Sequence, residues 1–177
     1  MFRFYYKDGV RYASRSTDDE IRNLSGMNLP NTVFVGDWSN CIFSGATLTH
    51  CVFSGVELSS AVFVHANIKD SVFDDAILHH ANFSGSEMPG CSFINAKAIN
   101  AEFSGANLAG TVFSKSFLKG CGFCDADLRN CDFTDATVEA VRFHFSQREG
   151  IKGLENTYIP SHTTVGCGGF HSKLVKC

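Results

Sequence analysis

A five-residue period organises most of this chain and limits what it can fold into. Between Cys41 and Phe145 every fifth residue is large and apolar, with Ala98 as the exception. A small residue stands two places before nearly every one of these centres, and Phe alternates with a smaller apolar side chain. The aromatic centres are Phe43, Phe53, Phe63, Phe73, Phe83, Phe93, Phe103, Phe113, Phe123, Phe133 and Phe143.

This period does not fit a regular helix or a straight strand. A helix turns once in 3.6 residues, so centres five apart would drift around its circumference. In a strand successive side chains alternate between faces, and an odd spacing would send successive centres to opposite sides. We therefore predict one bend in each repeat. The small residue and the centre both face inward because they are two residues apart, and the interval of ten between Phe centres indicates an even number of sides per coil.

Several units carry a recognisable local sequence: ANFSG at 81–85, ANLAG at 106–110 and ADLRN at 126–130. They resemble the A(D/N)LXX pattern of the pentapeptide-repeat proteins, and the resemblance covers well over half of the chain in unbroken register. It implies an all-β fold, a right-handed quadrilateral parallel β-helix of about five coils with four repeats per coil. The Phe centres would then form the structural core as two stacks on opposite sides of the solenoid.

The repeat divides the chain into three parts. Residues 1–40 form an N-terminal cap, residues 41–145 the β-helix, and residues 146–177 a tail that either covers the last coil or joins it to a second copy as a homodimer contact. Leu24, Leu29 and Phe34 already step by five, but one residue out of register with Trp38. This offset predicts an irregular first coil with a slip near residues 35–37.

Two local signals fall within the cap. Asp8-Gly9 lies between two runs rich in aromatic and β-branched residues, which predicts a β-hairpin. Thr17 followed three residues later by Glu20 is a capping-box pattern, which predicts a short helix from about Asp18 to Leu24.

Composition favours a soluble protein. A chain of 177 residues can bury a core as one domain, and its net charge of −3 does not indicate binding to nucleic acid. We find no long apolar run and no leader-like amino terminus, so we expect no membrane span and a cytoplasmic location. An export signal of the kind used by injected bacterial effectors would escape this test.

Candidate chemical motifs are weak, and we predict neither catalysis nor a cofactor or metal. No nucleophile elbow, phosphate loop or H-E-x-x-H occurs in the sequence. Cys121 and Cys124 have redox or zinc spacing, but the register directs the first inward and the second outward. His79 and His80 fall at outward positions, which favours a solvated surface over a metal site. His162, Cys167 and His171 could meet only if the tail folded back.

The outward residues carry the functional expectation, and the first is a non-enzymatic scaffold that presents its faces to a protein partner. Phe117 is the least expected outward residue, and a contiguous apolar stripe there would mark a partner surface. Within the family the scaffold would be an injected effector or an adaptor.

The alternative is a DNA-mimicking inhibitor of DNA gyrase, because family members that protect gyrase from quinolones are thought to imitate DNA. Acidic residues concentrate near the carboxyl end of the repeat, at Asp125, Asp127, Asp132 and Asp135. Scattered Lys and Arg side chains interrupt this field, Lys97, Lys115, Lys119 and Arg142 among them.

Overall fold

The computed structural model describes residues 2–15 and 22–154. Within these residues regular structure is β-strand alone, and no helix is long and apolar enough to cross a membrane. The strands are β1 (Phe2–Lys7), β2 (Val10–Arg15), β3 (Thr32–Val35), β4 (Phe117–Lys119) and β5 (Thr137–Glu139). Most of the remaining chain is paired through single β-bridges separated by turns.

The N-terminal hairpin is present at the predicted place. β1 and β2 pair antiparallel, from Lys7 opposite Val10 to Phe2 opposite Arg15. Asp8 and Gly9 have φ values of 51° and 77°, the double positive φ of a tight hairpin turn that suits the twist of the strands. β2 pairs parallel with β3, which belongs to the first coil, so the hairpin adds two strands to one sheet at the amino-terminal end of the β-helix.

The predicted helix over Asp18 to Leu24 is wrong where the structure describes it. Asn23 forms a parallel bridge with Ile42, and the Leu24 amide donates to the Ile42 carbonyl at 2.6 Å. The Leu24 side chain is fully buried in the core, together with Leu29. Burial in step with the five-residue register therefore outweighs the local capping signal, whose residues up to position 21 lie outside the described part of the chain.

Parallel pairing between residues twenty apart builds the main body, which is a parallel β-helix. A bridge occurs at every fifth residue, and the bridges run from Asn23 to Lys152, beyond both ends of 41–145. In the first coil the two bridged residues are nineteen apart in sequence, as in Val33 with Val52. From the bridge of Asp37 with Glu57 onward they are twenty apart. The predicted one-residue slip therefore falls between Val33 and Asp37.

Stacked aromatic rings fill the interior. Rings twenty residues apart are nearly parallel, with Phe63 and Phe83 at 4.6 Å between centroids and 4° between planes. Rings ten apart meet edge to face, with Phe73 and Phe83 at 5.7 Å and 88°. Both geometries are favourable for aromatic pairs. All the Phe centres are buried, and Trp38 and Phe34 extend the packing into the first coil.

A column of hydrogen-bond donors lines one inner corner of the β-helix. Its members recur every twenty residues at the small inward position and are Cys51, Ser71, Cys91, Thr111 and Cys131. The Ser71 hydroxyl accepts from the Cys51 amide at 2.9 Å and donates to the Leu48 carbonyl at 2.7 Å. The others also donate to a carbonyl in the preceding coil, as Cys91 does to Ile68 at 3.1 Å and Thr111 to Met88 at 2.9 Å. These side chains supply hydrogen bonds to backbone carbonyl groups of turns that are buried beneath the next coil.

Candidate interaction surfaces

The residue before each buried centre faces outward, and these residues stack into four ladders along the β-helix. Ladder one contains Asn23, Ile42, Val62, Asn82, Glu102, Gly122 and Arg142. Ladder two contains Asn28, Thr47, Asn67, Glu87, Asn107, Asp127 and Gln147. Ladder three contains Val33, Val52, Val72, Ser92, Val112, Asp132 and Lys152. Ladder four contains Asp37, Glu57, Ile77, Lys97, Phe117 and Thr137.

Phe117 lies half-buried in β4, on ladder four. Its bridge partners are Lys97 in one neighbouring coil and Thr137 in the other. Lys97 therefore separates Phe117 from Ile77, the next apolar member of the ladder. Phe117 is an isolated apolar position on this face and does not continue a stripe.

Ladder three carries the longest apolar run. Val33, Val52 and Val72 are consecutive rungs, and Tyr12 of β2 pairs beside Val33. Tyr5 of β1 continues the same line, with its ring stacked on that of Tyr12 at 5.2 Å. The five-residue register of the sequence places Val52 and Val72 outward on the same side of the β-helix. The register does not extend to Val33, because Val33 and Val52 are nineteen residues apart instead of twenty, and only the predicted one-residue slip aligns them. Tyr12 lies outside the repeat.

The four aspartates selected from the sequence do not share one face. Asp127 lies on ladder two and Asp132 on ladder three. Asp125 and Asp135 are exposed turn residues with φ values of 58° and 59°. The structure therefore distributes these carboxylates over adjacent sides and corners at the carboxyl end of the β-helix.

The two ladder aspartates also bind the turn that follows them. Asp127 accepts from the Arg129 guanidinium, with Oδ2 and Nη2 at 2.6 Å, and this hydrogen bond lowers the pKa of the carboxyl. Asp132 accepts from the hydroxyl and amide of Thr134, which together lower its pKa. The arrangement recurs where Asn82 accepts from the Ser84 amide at 2.9 Å. Acceptors on the ladders therefore stabilise corners by capping the amide two residues later.

Exposed ion pairs cross between coils and moderate the acidic surface. Arg142 reaches Glu102 at 3.1 Å over Gly122, the rung between them, whose lack of a side chain leaves room for the contact. Lys119 lies 3.4 Å from Glu139. Both pairs mix positive charge into the acidic region.

His50 and His79 lie at turns, and their side chains contact the next coil. His79 Nδ1 accepts from the Ile99 amide at 3.2 Å, and His50 Nε2 lies 3.7 Å from Asp70 Oδ2. In residues 2–15 and 22–154 no group of three or more His, Cys, Asp or Glu is placed to hold a metal ion. His162, Cys167 and His171 lie outside the described residues.

The cysteines of the described chain are free thiols. Cys121 is buried and donates to the Ala98 carbonyl at 2.6 Å, whereas Cys124 is half-buried on the outside of the turn. Burial raises the pKa of the Cys91, Cys121 and Cys131 thiols to about 12. At neutral pH these groups are protonated donors and poor nucleophiles.

The comparisons with known proteins agree with this architecture. The family model for pentapeptide repeats matches residues 41–79, 76–114 and 106–144, with eight copies of the repeat in all. These matches span more than half of the chain, so the chain belongs to the pentapeptide-repeat family. Membership implies the right-handed sense for its β-helix.

Three solved structures illustrate the likeness. HetL, a pentapeptide repeat protein involved in heterocyst differentiation regulation from the cyanobacterium Nostoc, is 15% identical, with 78% of this chain and 85% of HetL covered and a TM-score of 0.48. QnrB1, a plasmid-mediated fluoroquinolone resistance protein, is 23% identical over 72% and 84% of the two chains, with a TM-score of 0.39. A pentapeptide repeat protein from the Arabidopsis thaliana thylakoid lumen is 23% identical over 61% and 71%, with a TM-score of 0.40. No curated protein sequence matches this chain significantly.

Proposed function

We propose that this chain is a non-enzymatic binding scaffold whose β-helix presents side-chain ladders to a protein partner, as an adaptor or an injected effector. We also propose a quadrilateral cross-section, with about five coils in residues 41–145 and the irregular coil before them. The recurrence of a bridge at every fifth residue supports four sides per coil of twenty. Each side then offers a straight row of evenly spaced rungs.

The observation that carries the proposal is the apolar run on ladder three. Tyr12, Val33, Val52 and Val72 stand side by side on the outside of the sheet, half-buried by their neighbours. β-Branched residues also favour strand conformation, which accounts for single valines in outward positions. A run that continues over four neighbouring positions of the sheet and ladder adds a contiguous apolar surface, which is typical of interaction sites. Ladder three is therefore the face that we assign to the partner.

A pull-down comparing the faces tests this assignment. Val72→Lys would place a charge on the last valine of the apolar run, and Phe117→Ser would remove the isolated apolar residue of ladder four. Gln147→Lys is the matched control, an exposed rung of ladder two. We expect Val72→Lys to lose the retained partner, while Phe117→Ser and Gln147→Lys keep it. A partner list unchanged by Val72→Lys would contradict the assignment of ladder three, and loss with Phe117→Ser alone would move the site to ladder four.

Inhibition of DNA gyrase by DNA mimicry is the second candidate function. The exposed carboxylates of Asp125 and Asp135, together with those of Asp127 and Asp132, favour it because they lie near one end of the rod. Arg129 pairs with Asp127, which reduces the local charge. In a supercoiling assay a mimic would suppress gyrase, and replacing all four aspartates by Asn would weaken the suppression. Absence of any effect at micromolar protein would exclude this function.

A further inference from the structure

The outermost strand of the N-terminal sheet has a free edge. The strand order is β1, β2, β3, and within the described residues β2 is the neighbour with which β1 pairs. In an antiparallel pair every second residue directs its amide and carbonyl away from the partner strand. β1 therefore presents a row of backbone donors and acceptors on its outer side.

Within the described residues, β1 has few of the devices that protect an edge strand from further pairing. Proteins commonly blunt an edge strand with a bulge, a proline, a covering segment or charged side chains. β1 keeps unbroken register with β2 over all six of its residues and contains no proline, and the charged side chains that it carries are Arg3 and Lys7. Its aromatic side chains are exposed, with 41% for Phe4, 43% for Tyr5 and 72% for Tyr6. An extended, regular and aromatic edge of this kind suits the addition of a further strand.

The charges on β1 select the kind of strand that fits. Side chains alternate between faces, so Arg3, Tyr5 and Lys7 share one face and Phe4 and Tyr6 share the other. The carboxylate nearest to this strand in sequence is that of Asp8, which lies in the turn beyond the strand's end.

Arg11 adds positive charge on the face of Phe4 and Tyr6, because it pairs with Tyr6 across the two strands. It lies on β2, 5.9 Å from the centre of the Phe4 ring, and it donates to Thr32 and to the Pro30 carbonyl. One face of β1 therefore has Arg3 and Lys7 on either side of Tyr5, and the other combines the rings of Phe4 and Tyr6 with the Arg11 guanidinium.

A second copy of this chain is a poor occupant. Antiparallel pairing of two β1 strands about Tyr5 would place Arg3 of each copy opposite Lys7 of the other. Like charges directly opposite one another destabilise a strand pair, whereas opposite charges stabilise it. The same geometry favours a strand with carboxylates at two positions four residues apart and apolar residues at the positions between them that face Phe4 and Tyr6.

We propose that β1 is a docking edge for an extended acidic segment of another protein, which adds to the sheet as a fourth strand. Main-chain hydrogen bonds to β1 supply the pairing, Arg3 and Lys7 select carboxylates, and Phe4 and Tyr6 contact the apolar residues of the segment. β1 continues the sheet of ladder three through Tyr5, but the residues that carry this proposal, Arg3, Phe4, Tyr6 and Lys7, are not those changed in the ladder test.

The test uses a fluorescein-labelled peptide, Gly-Ser-Glu-Val-Tyr-Val-Glu-Ser-Gly, and the full chain, with binding followed by fluorescence anisotropy. A second peptide carries Lys in place of both Glu, and a third is N-methylated at its three central amides. The edge variant is Arg3→Glu with Lys7→Glu. The control variant is Lys115→Glu with Arg148→Glu, which changes the net charge equally at two exposed positions outside the hairpin.

We expect the acidic peptide to bind the wild-type chain, to bind the edge variant about tenfold more weakly and to bind the control variant unchanged. The lysine peptide should prefer the edge variant, and N-methylation should abolish binding. Equal binding of both charged peptides, or equal weakening by both variants, would overturn the proposal. If sedimentation shows the wild-type chain to be a dimer and the edge variant to be a monomer, the proposal is overturned in favour of self-association through β1. Because Val72→Lys leaves β1 intact, failure of the ladder assignment and failure of this proposal are distinguishable.

Discussion

At the scale of single residues, the inner corner column shows that cysteine, serine and threonine perform one task in this β-helix. Each places a donor where a turn of the preceding coil has a buried carbonyl, as Cys131 does for Leu108 at 3.0 Å and Ser71 for Leu48 at 2.7 Å. A thiol is a weaker donor than a hydroxyl but packs as a small apolar group. The inward cysteines of the described residues therefore serve packing and hydrogen bonding inside the coil.

Ser71→Ala tests this column. The change removes a hydroxyl that serves both the Cys51 amide and the Leu48 carbonyl in a fully buried position. Leaving buried backbone groups unpaired costs about 1–3 kcal/mol, so we expect a loss of that size in urea unfolding. Ser71→Cys should lose less, because thiols occupy the equivalent place at Cys51 and Cys91. Ser54→Ala, at an exposed turn, is the control, and equal stability of Ser71→Ala and Ser54→Ala would contradict the assigned role.

Asp132→Asn tests the role of the ladder carboxylates through pH. Hydrogen bonds from Thr134 lower the pKa of Asp132 in the folded chain below its ordinary value of 3.8. The ionised form therefore stabilises the fold above pH 3.8, and this contribution is lost as pH falls through the folded pKa. Asn keeps an acceptor for the Thr134 amide but does not titrate.

We therefore expect the wild type to be the more stable of the two at pH 7, and the difference in unfolding free energy to shrink below pH 3.8. Urea unfolding of both proteins, at pH 7 and at a pH below 3.8, measures this difference in unfolding free energy. A difference that stays constant or grows on acidification would contradict the assigned hydrogen bonds.

At the scale of elements, the sequence predicts those parts whose signal repeats. The register of Phe43 to Phe143 specifies the inward and outward positions because each repeat contributes the same pattern. The local helix signal ending at Leu24 fails because the long-range bridge of Asn23 with Ile42 competes with it. β2 lies outside the five-residue repeat, and its parallel pairing with β3 joins residues about twenty apart in sequence. The five-residue pattern therefore does not predict that Tyr12 extends ladder three.

The grouping of the candidate surface residues also depends on three-dimensional neighbours. Phe117 and the four aspartates are outward, as their positions in the repeat predict, but their partners come from coils twenty residues away. Arg142 reaching Glu102 across Gly122 is a contact over forty residues that a five-residue pattern does not reveal. Sequence thus gives the face of each residue more readily than its electrostatic environment.

Phe83→Ala tests the aromatic stacks. The ring of Phe83 stacks between Phe63 at 4.6 Å and Phe103 at 5.0 Å, and it is fully buried. Truncation leaves a cavity and should reduce the unfolding free energy by about 3–5 kcal/mol. Phe83→Leu keeps most of the volume but loses the ring contacts, and we expect a loss of about 1–2 kcal/mol.

Phe145→Ala is the matched control, because that side chain is 75% exposed outside the stacks. Its effect on chemical denaturation should remain within about 0.5 kcal/mol. A loss for Phe83→Ala no larger than that of Phe145→Ala would contradict the role of the stacks in stability.

At the scale of the whole molecule, the β-helix is a linear array in which each coil contacts its two neighbours. Bridges, ring stacks and the inner donor column all connect residues about twenty apart, so the interactions repeat along the axis. Stability of such an array is approximately a sum of coil and interface contributions. The outer side chains vary along the same axis without changing the core, which separates folding from recognition.

Removal of one complete coil tests this modularity. Deleting residues 81–100 joins His80 to Ala101 and preserves the register, so that Phe63 would stack on Phe103 and Phe73 on Phe113. We expect this variant to keep its β-sheet circular dichroism and to unfold cooperatively, with a denaturant m-value lower by roughly a tenth to a fifth because less surface is buried. Deleting residues 81–98 removes nearly as much chain but displaces every later centre by two residues relative to the coils before it. That variant should lose the stacks beyond His80 and unfold at lower denaturant in separate steps, whereas identical behaviour of the two deletions would show that register does not determine the fold.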